Sequence, residues 1–280
     1  MRQIPFQTVV EQVKRLTIDA NYRLGDDVVT ALAGARACET SPPALRVLEH
    51  LLENARLAAQ GENPLCQDTG FAVFFIELGQ EVQIVGGLLE DAVNEGVRRA
   101  GREGFLRNSV VRDPLRRVNT GDNTPAVIWT QIVAGDRLRI DMAPKGGGSE
   151  NMSEVAMLKP AQGEAGVIEF VVDKVSRSGG NPCPPIIVGV GIGGTFEKVA
   201  WLAKKAIMRP LTERHPDPYY ADIEQRLLSR INDLGIGPMG FGGRTTALAV
   251  HVEVYPCHIA SLPVAVNIQC HSARHKSITI

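Results

Sequence analysis

Charge of one sign is the first thing this 280-residue chain lacks. Thirty Lys and Arg stand against 31 Asp and Glu, so it carries no basic field of the kind that draws nucleic acid or an anionic membrane surface. The expected ligand is therefore small. Long apolar runs are also missing: no stretch approaches the roughly twenty residues of a membrane span, and MRQIPFQTVVEQVKRL at the start has no apolar core of signal-peptide type. A cytoplasmic location is the expectation. There is no internal repeat, no low-complexity tract and no polar linker long enough to divide the chain. Cysteine is sparse and odd in number, at Cys38, Cys66, Cys183, Cys257 and Cys270, which argues against a disulfide framework. These five are core thiols, metal ligands or nucleophiles.

What is present reads as alternating helices and strands. Over residues 5–60, VVEQVKRL, VVTALAGARA and ALRVLEHLLENARLAAQ space apolar side chains three and four apart, and SPP supplies a start signal for the third helix. FAVFFIELGQEVQIVG reads as two strands about a turn, and LLEDAVNEGVRRAGREG as an amphipathic helix. TPAVIWTQIVAGDRLRIDMAPKGGGSEN is β-like about the turn AGD. A helix around EAGVIEFVVDKVSRSGG, the strand PPIIVGVG, the helix FEKVAWLAKKAI and the strands TALAVHVEVYP and PVAVNIQ follow, before a polar tail HSARHKSITI. The expectation is one α/β domain over residues 1–280, with mixed β-sheets flanked by helices and a helical N-terminal part. Gly and Pro cluster at 143–148, 179–185, 189–194 and 235–243, where loops often surround sites.

GVGIGG at 189–194 fits the dinucleotide fingerprint between a strand and a helix, but no following strand ends in an acidic residue to hold a ribose. A tight turn with close helix packing, or loop N–H groups that hold a carboxylate, are the other readings. Cys66, Cys183, Cys257 and Cys270 fall at turns or strand ends, whereas Cys38 sits inside a helix as a small core residue. The 117 residues from Cys66 to Cys183 and 87 from Cys183 to Cys270 match no zinc-finger or C-x-x-C spacing. A metal site here would be assembled by the fold, with thiolates favouring iron-sulfur or zinc. Asp68, in QDTG, is an Asx-turn residue or a proton donor and acceptor. His258 is a core imidazole or a group that orients such a carboxylate. His271 and His275 are read as solvated. Arg107 and Arg244 would suit a carboxylate substrate or a surface ion pair.

Six segments in order, PLCQDTGFAVFF, LRNSVVRDPL, NTGDNTPAVI, DMAPKGGGSENMS, GGNPCPPIIVGVGIGGT and PCHIASLPVAVNIQCHSARH, resemble the iron-sulfur-dependent class I fumarases and the similar L-tartrate dehydratases. The resemblance runs from about residue 10 to the C-terminus. It implies a hydro-lyase with a [4Fe-4S] cluster held by Cys66, Cys183 and Cys270, whose fourth iron has no protein ligand and acts as a Lewis acid. It further implies that Gln67, Asp68, Arg107 and Gly147 contact a small dicarboxylate, fumarate or L-malate, and that Asp68, supported by His258, handles a proton. Single-chain members carry a further domain after QCHSARH, so this chain resembles an α subunit whose site is completed by a separate β subunit. The alternatives are L-tartrate as substrate, or a non-catalytic protein with zinc or no metal on the same thiols.

Overall fold

The helical N-terminal part is built as α1 (Phe6–Tyr22), α2 (Asp26–Cys38) and α3 (Pro42–Ala58). The computed structural model describes residues 1–280, and they divide into two units: Met1–Gly25, Asn54–Gly147 and Arg274–Ile280 form the first, Asp26–Glu53 and Gly148–Ala273 the second. Both combine helices with a mixed four-stranded sheet, the α/β class expected. No helix is long and apolar enough to cross a membrane.

In the first unit the sheet order is β10 (Lys276–Thr279), β5 (Leu138–Lys145), β2 (Phe71–Gly79) and β4 (Val127–Val133). β2 is buried on both faces from Ala72 to Ile76, as befits a strand inside a covered sheet, and each of its edges pairs with a long neighbour. The segments that adjoin one another in sequence therefore do not pair. β2 lies between β4, parallel to it, and β5, antiparallel, while β3 (Val82–Val85) pairs instead with β1 (Arg2–Pro5). Val9, Val10, Val13, Leu16 and Ala20 of α1 and Ala92, Val93 and Val97 of α4 (Leu89–Glu103) cover the face that presents Phe74, Ile76, Ile140 and Met142. The expected polar tail is not one: its last residues form β10 on β5, and Ser272, Ala273 and Arg274 are buried.

The second unit orders its sheet as β6 (Glu154–Leu158), β9 (Leu262–Gln269), β7 (Ile186–Gly193) and β8 (Ala247–Tyr255). Its central pairing follows that of the first sheet: β7 is parallel to β8, the strand after it, and antiparallel to β9. Alternation along β7 sorts its two faces. Val188 and Val190 join a core with Val171 and Val175 of α6 (Gly163–Ser178) and with Leu227 and Ile231 of α8 (Pro218–Asn232). Gly189 and Gly191 meet α7 (Phe196–Ala206): a Cβ at Gly189 would lie 2.2 Å from the Ala203 carbonyl oxygen, and one at Gly191 2.2 Å from that of Val199. The glycine spacing of GVGIGG thus lets a helix backbone approach the strand, which is the close-packing reading. The carboxylate at the start of α7 is the chain's own. Hydrogen bonds from its backbone N–H and from Thr195 hold the Glu197 carboxyl below the usual range. Cys38, expected in the core, is exposed at the end of α2.

Candidate active site

The loop from Asn63 to Gly70 is pinned before it reaches β2. Leu65 is buried; its N–H donates to the Asn21 carbonyl at 2.8 Å, and its own carbonyl accepts Asn54 Nδ2 at 2.8 Å. Past this clamp Cys66 and Gln67 stand at the surface side of the loop, with the Asp68 N–H directed at Cys66 Sγ, 3.4 Å away. Asp68 Oδ1 accepts the Gly70 N–H at 2.9 Å, the Asx turn that DTG suggests. Its other oxygen does more. Oδ2 accepts the Gly147 N–H at 2.8 Å, across 79 residues of sequence.

Sheet register brings these segments together. In the antiparallel β2–β5 pair Phe71 lies opposite Lys145, so the residues just before β2 and just after β5 share one sheet end. Gly70 fits because it has φ +72° and no side chain; a Cβ there would lie 2.7 Å from the Lys145 backbone. Arg107 joins through its backbone. Its carbonyl accepts Thr69 Oγ1 at 2.7 Å and Asn123 Nδ2 at 3.0 Å, while its guanidinium is exposed. Gln67, Asp68, Arg107 and Gly147 are therefore gathered within the first unit, with the Asp68 carboxylate held by two backbone N–H groups and the Gln67 and Arg107 side chains exposed beside it in sequence and loop.

Cys183 and Cys270 belong to the second unit. β7 and β9 run antiparallel with Ile187 opposite Gln269, which places Cys183, just before one strand, beside Cys270, just after the other. His271, expected to be solvated, is half-buried here and donates its backbone N–H to the Cys183 carbonyl at 3.3 Å, with Nδ1 3.0 Å from the same oxygen. His275 is likewise half-buried. Cys66, Cys183 and Cys270 are each partly exposed and in no disulfide. As soft donors at loop positions they fit an iron-sulfur cluster or zinc. Within neither unit do three His, Cys, Asp or Glu side chains converge as a site for a single metal ion.

His258 and Cys257 lie elsewhere in the second unit. They occupy the loop between β8 and β9, beside the Gly193 end of β7, so the eight residues of β7, about 26 Å at strand rise, separate them from Cys183 and Cys270. His258 is exposed, its Nδ1 accepts the Ala260 N–H at 3.1 Å, and it lines a cleft of about 320 Å³ with Phe196, Lys198 and Tyr255. Arg244 serves Glu39: its N–H donates to Glu39 Oε2 at 2.7 Å.

With this geometry in place, the model of the fumarate hydratase (Fumerase) family matches residues 10–279. The chain belongs to that family. It is 42% identical over 273 residues to a chain of Methanocaldococcus jannaschii provisionally named L(+)-tartrate dehydratase subunit alpha, covering 95% of both. It is 34% identical to the L(+)-tartrate dehydratase subunit alpha of Escherichia coli strain K12, and to that of Shigella sonnei strain Ss046, over all of this chain and 93% of theirs. Membership places the chain among hydro-lyases. It also gives a context to residues that reading by residue type passed over. Thr69 and Asn123 hold the Arg107 backbone, and Arg274 and Asn21 brace the loop from behind. Only Thr17 and Asn21, polar residues four apart on the buried face of α1, left a signal in the sequence.

Proposed function

We propose that this hydro-lyase is the α subunit of an iron-sulfur enzyme of the cytoplasm. It interconverts fumarate and L-malate, and a separate β subunit completes its site. The observation that carries this reading is the loop end where Cys66, Gln67 and Asp68 stand consecutively, the Asp68 carboxylate held by two backbone N–H groups and Arg107 tied to Thr69.

Cys66, Cys183 and Cys270 would hold a [4Fe-4S] cluster, which supplies a Lewis acid for the substrate hydroxyl when bound. The chain's own residues do the rest. Arg107 binds a substrate carboxylate through paired hydrogen bonds, and the Gln67 amide orients the ligand. Dehydration takes a proton from the carbon next to a carboxylate and releases hydroxide from its neighbour, so negative charge grows where a cation must meet it. Asp68 accepts that proton, and returns it in hydration. Gly147 has its N–H on Asp68 and acts on the substrate through that carboxylate. A supporting role for His258 rests on the resemblance alone.

L-tartrate is a second reading, favoured by the names of the relatives. The test is turnover of anaerobically purified protein with its β subunit on fumarate, L-malate and L-tartrate, with metal analysis of the same samples. Preferred turnover of fumarate and malate by brown, iron-containing protein is expected. Preference for tartrate would install the second reading, and colourless zinc protein without turnover would remove both.

A further inference from the structure

Arg274 presents a cost that the fold alone does not explain. It is the largest fully buried side chain, 1% exposed, and its ion has no carboxylate partner: Nη1 donates to Asn21 Oδ1 at 3.0 Å, Nη2 to the Asp68 backbone carbonyl at 2.9 Å, and Nε has no acceptor. Taking a guanidinium out of water to face neutral oxygens is unfavourable, and a well-packed apolar residue of similar volume often serves stability as well. The geometry supplies a reason for keeping it. Asn21, which receives one arm of the fork, also receives the Leu65 N–H on its carbonyl at 2.8 Å and anchors its own amide on the Thr17 carbonyl at 2.9 Å. One planar group therefore links the clamp before Cys66 to the residue after Gln67, and the two residues between are held as a short span.

We propose that Arg274 is a positioning residue: its guanidinium fork fixes the backbone of Asp68 against the Leu65 clamp and so sets where the Asp68 carboxylate meets the substrate. This rests on the reading in which Asp68 handles a proton. A lysine in the same place keeps the charge but is a single point donor, without the rigid fork that reaches both oxygens. Misplacement of a reacting group by about 1 Å can cost on the order of a hundredfold in rate. The carboxylate itself would be present, only badly aimed.

The experiment compares Arg274→Lys, Asn21→Ala, Asp68→Asn and the doubles Arg274→Lys/Asp68→Asn and Asn21→Ala/Asp68→Asn, each purified anaerobically with the β subunit. Asn21→Ala removes the partner of the Nη1 arm while leaving Arg274 in place, and serves if the arginine variant does not fold. Arg274→Lys and Asn21→Ala should each lose about tenfold to a hundredfold in kcat with KM changed little. Added to Asp68→Asn, neither should slow it further, because a residue that acts through the carboxylate has nothing left to aim. In the chain without its partner, exchange of the Asp68 and Gly70 amide hydrogens should quicken in Arg274→Lys while α1 and β2 keep their protection. Losses that multiply in the doubles, or unchanged kcat in the singles, would overturn the proposal. Unchanged amide exchange would show that Arg274 does not hold the loop. Full turnover by Asp68→Asn is a separate failure, that of the proton-handling reading, and the exchange measurement is unaffected by it.

Discussion

Replacing Asp68 by Asn tests the centre of the site, and the structure sets both magnitudes. Asn is a good turn residue, so DTG by itself would tolerate it. The second hydrogen bond changes that expectation. Asp68 accepts N–H groups on both oxygens, from Gly70 at 2.9 Å and Gly147 at 2.8 Å, whereas Asn offers one oxygen and one NH2. Whichever way the amide turns, an N–H faces a donor. A hydrogen bond to a charged group contributes about 1.5–3 kcal/mol. Gly147 is exposed, so water recovers part of this and the lower half of the range applies. For a chain of this size each 1 kcal/mol moves Tm by about 2–4 °C, so Asp68→Asn should melt a few degrees early. Turnover should fall about a hundredfold to ten-thousandfold if the carboxylate moves the proton. Denaturant unfolding of the chain and anaerobic turnover of the reconstituted enzyme read the two effects separately. An unchanged unfolding midpoint would refute the two-sided hold on the carboxylate. Near-normal turnover by variant protein with full iron content would remove Asp68 from the chemistry.

Cys66→Ser, Cys183→Ser and Cys270→Ser should each abolish iron binding in anaerobic protein, while Cys38→Ser and Cys257→Ser retain it; iron loss confined to Cys257→Ser would sink the ligand assignment. Thr69→Val keeps the side-chain shape but removes the bond to the Arg107 carbonyl, so KM should rise severalfold with kcat much less affected, and the reverse split would count against Arg107 as the carboxylate binder. Gly191→Ala sets a methyl 2.2 Å from the Val199 carbonyl oxygen and 2.9 Å from the Ala203 nitrogen; overpacking of this kind costs about 1–3 kcal/mol, and a variant as stable as the parent would show that α7 yields freely. Glu39 is buried, which raises its pKa, but the Ser41, Arg244 and Thr40 N–H donors outweigh this and leave it below the usual glutamate range. The parent's stability advantage over Glu39→Gln should therefore be complete above the unfolded value of about 4.3 and vanish as pH falls through the lower folded value; an advantage that grows on acidification would contradict it.

The sequence by itself determined the helices, the α/β class and the chemistry-bearing segments, because those properties are written in local periodicity and in residue types that stand next to one another. VVEQVKRL is an amphipathic face wherever it folds, and Cys66, Gln67 and Asp68 are neighbours by covalent bond. What it left undecided was which distant segments meet. FAVFFIELG and EVQIVG look like partners, yet β2 pairs along its length with β4 and β5, whose reach matches its own where the four residues of β3 do not. That register, settled by the burial of Phe74 and Ile76 in a common core, is what carries Gly147 to Asp68. The tail HSARHKSITI is polar in composition, yet Ser272, Ala273 and Arg274 are buried and the residues after them form β10 on the sheet edge, and Arg274 finds acceptors that no local pattern displays. GVGIGG could have cradled a phosphate or a helix; only the face on which Gly189 and Gly191 emerge, toward the backbone of α7, chose between them. His258 shows the same limit from the other side. It stands twelve residues from Cys270, but a strand is straight, and β9 carries the two to opposite ends of one sheet.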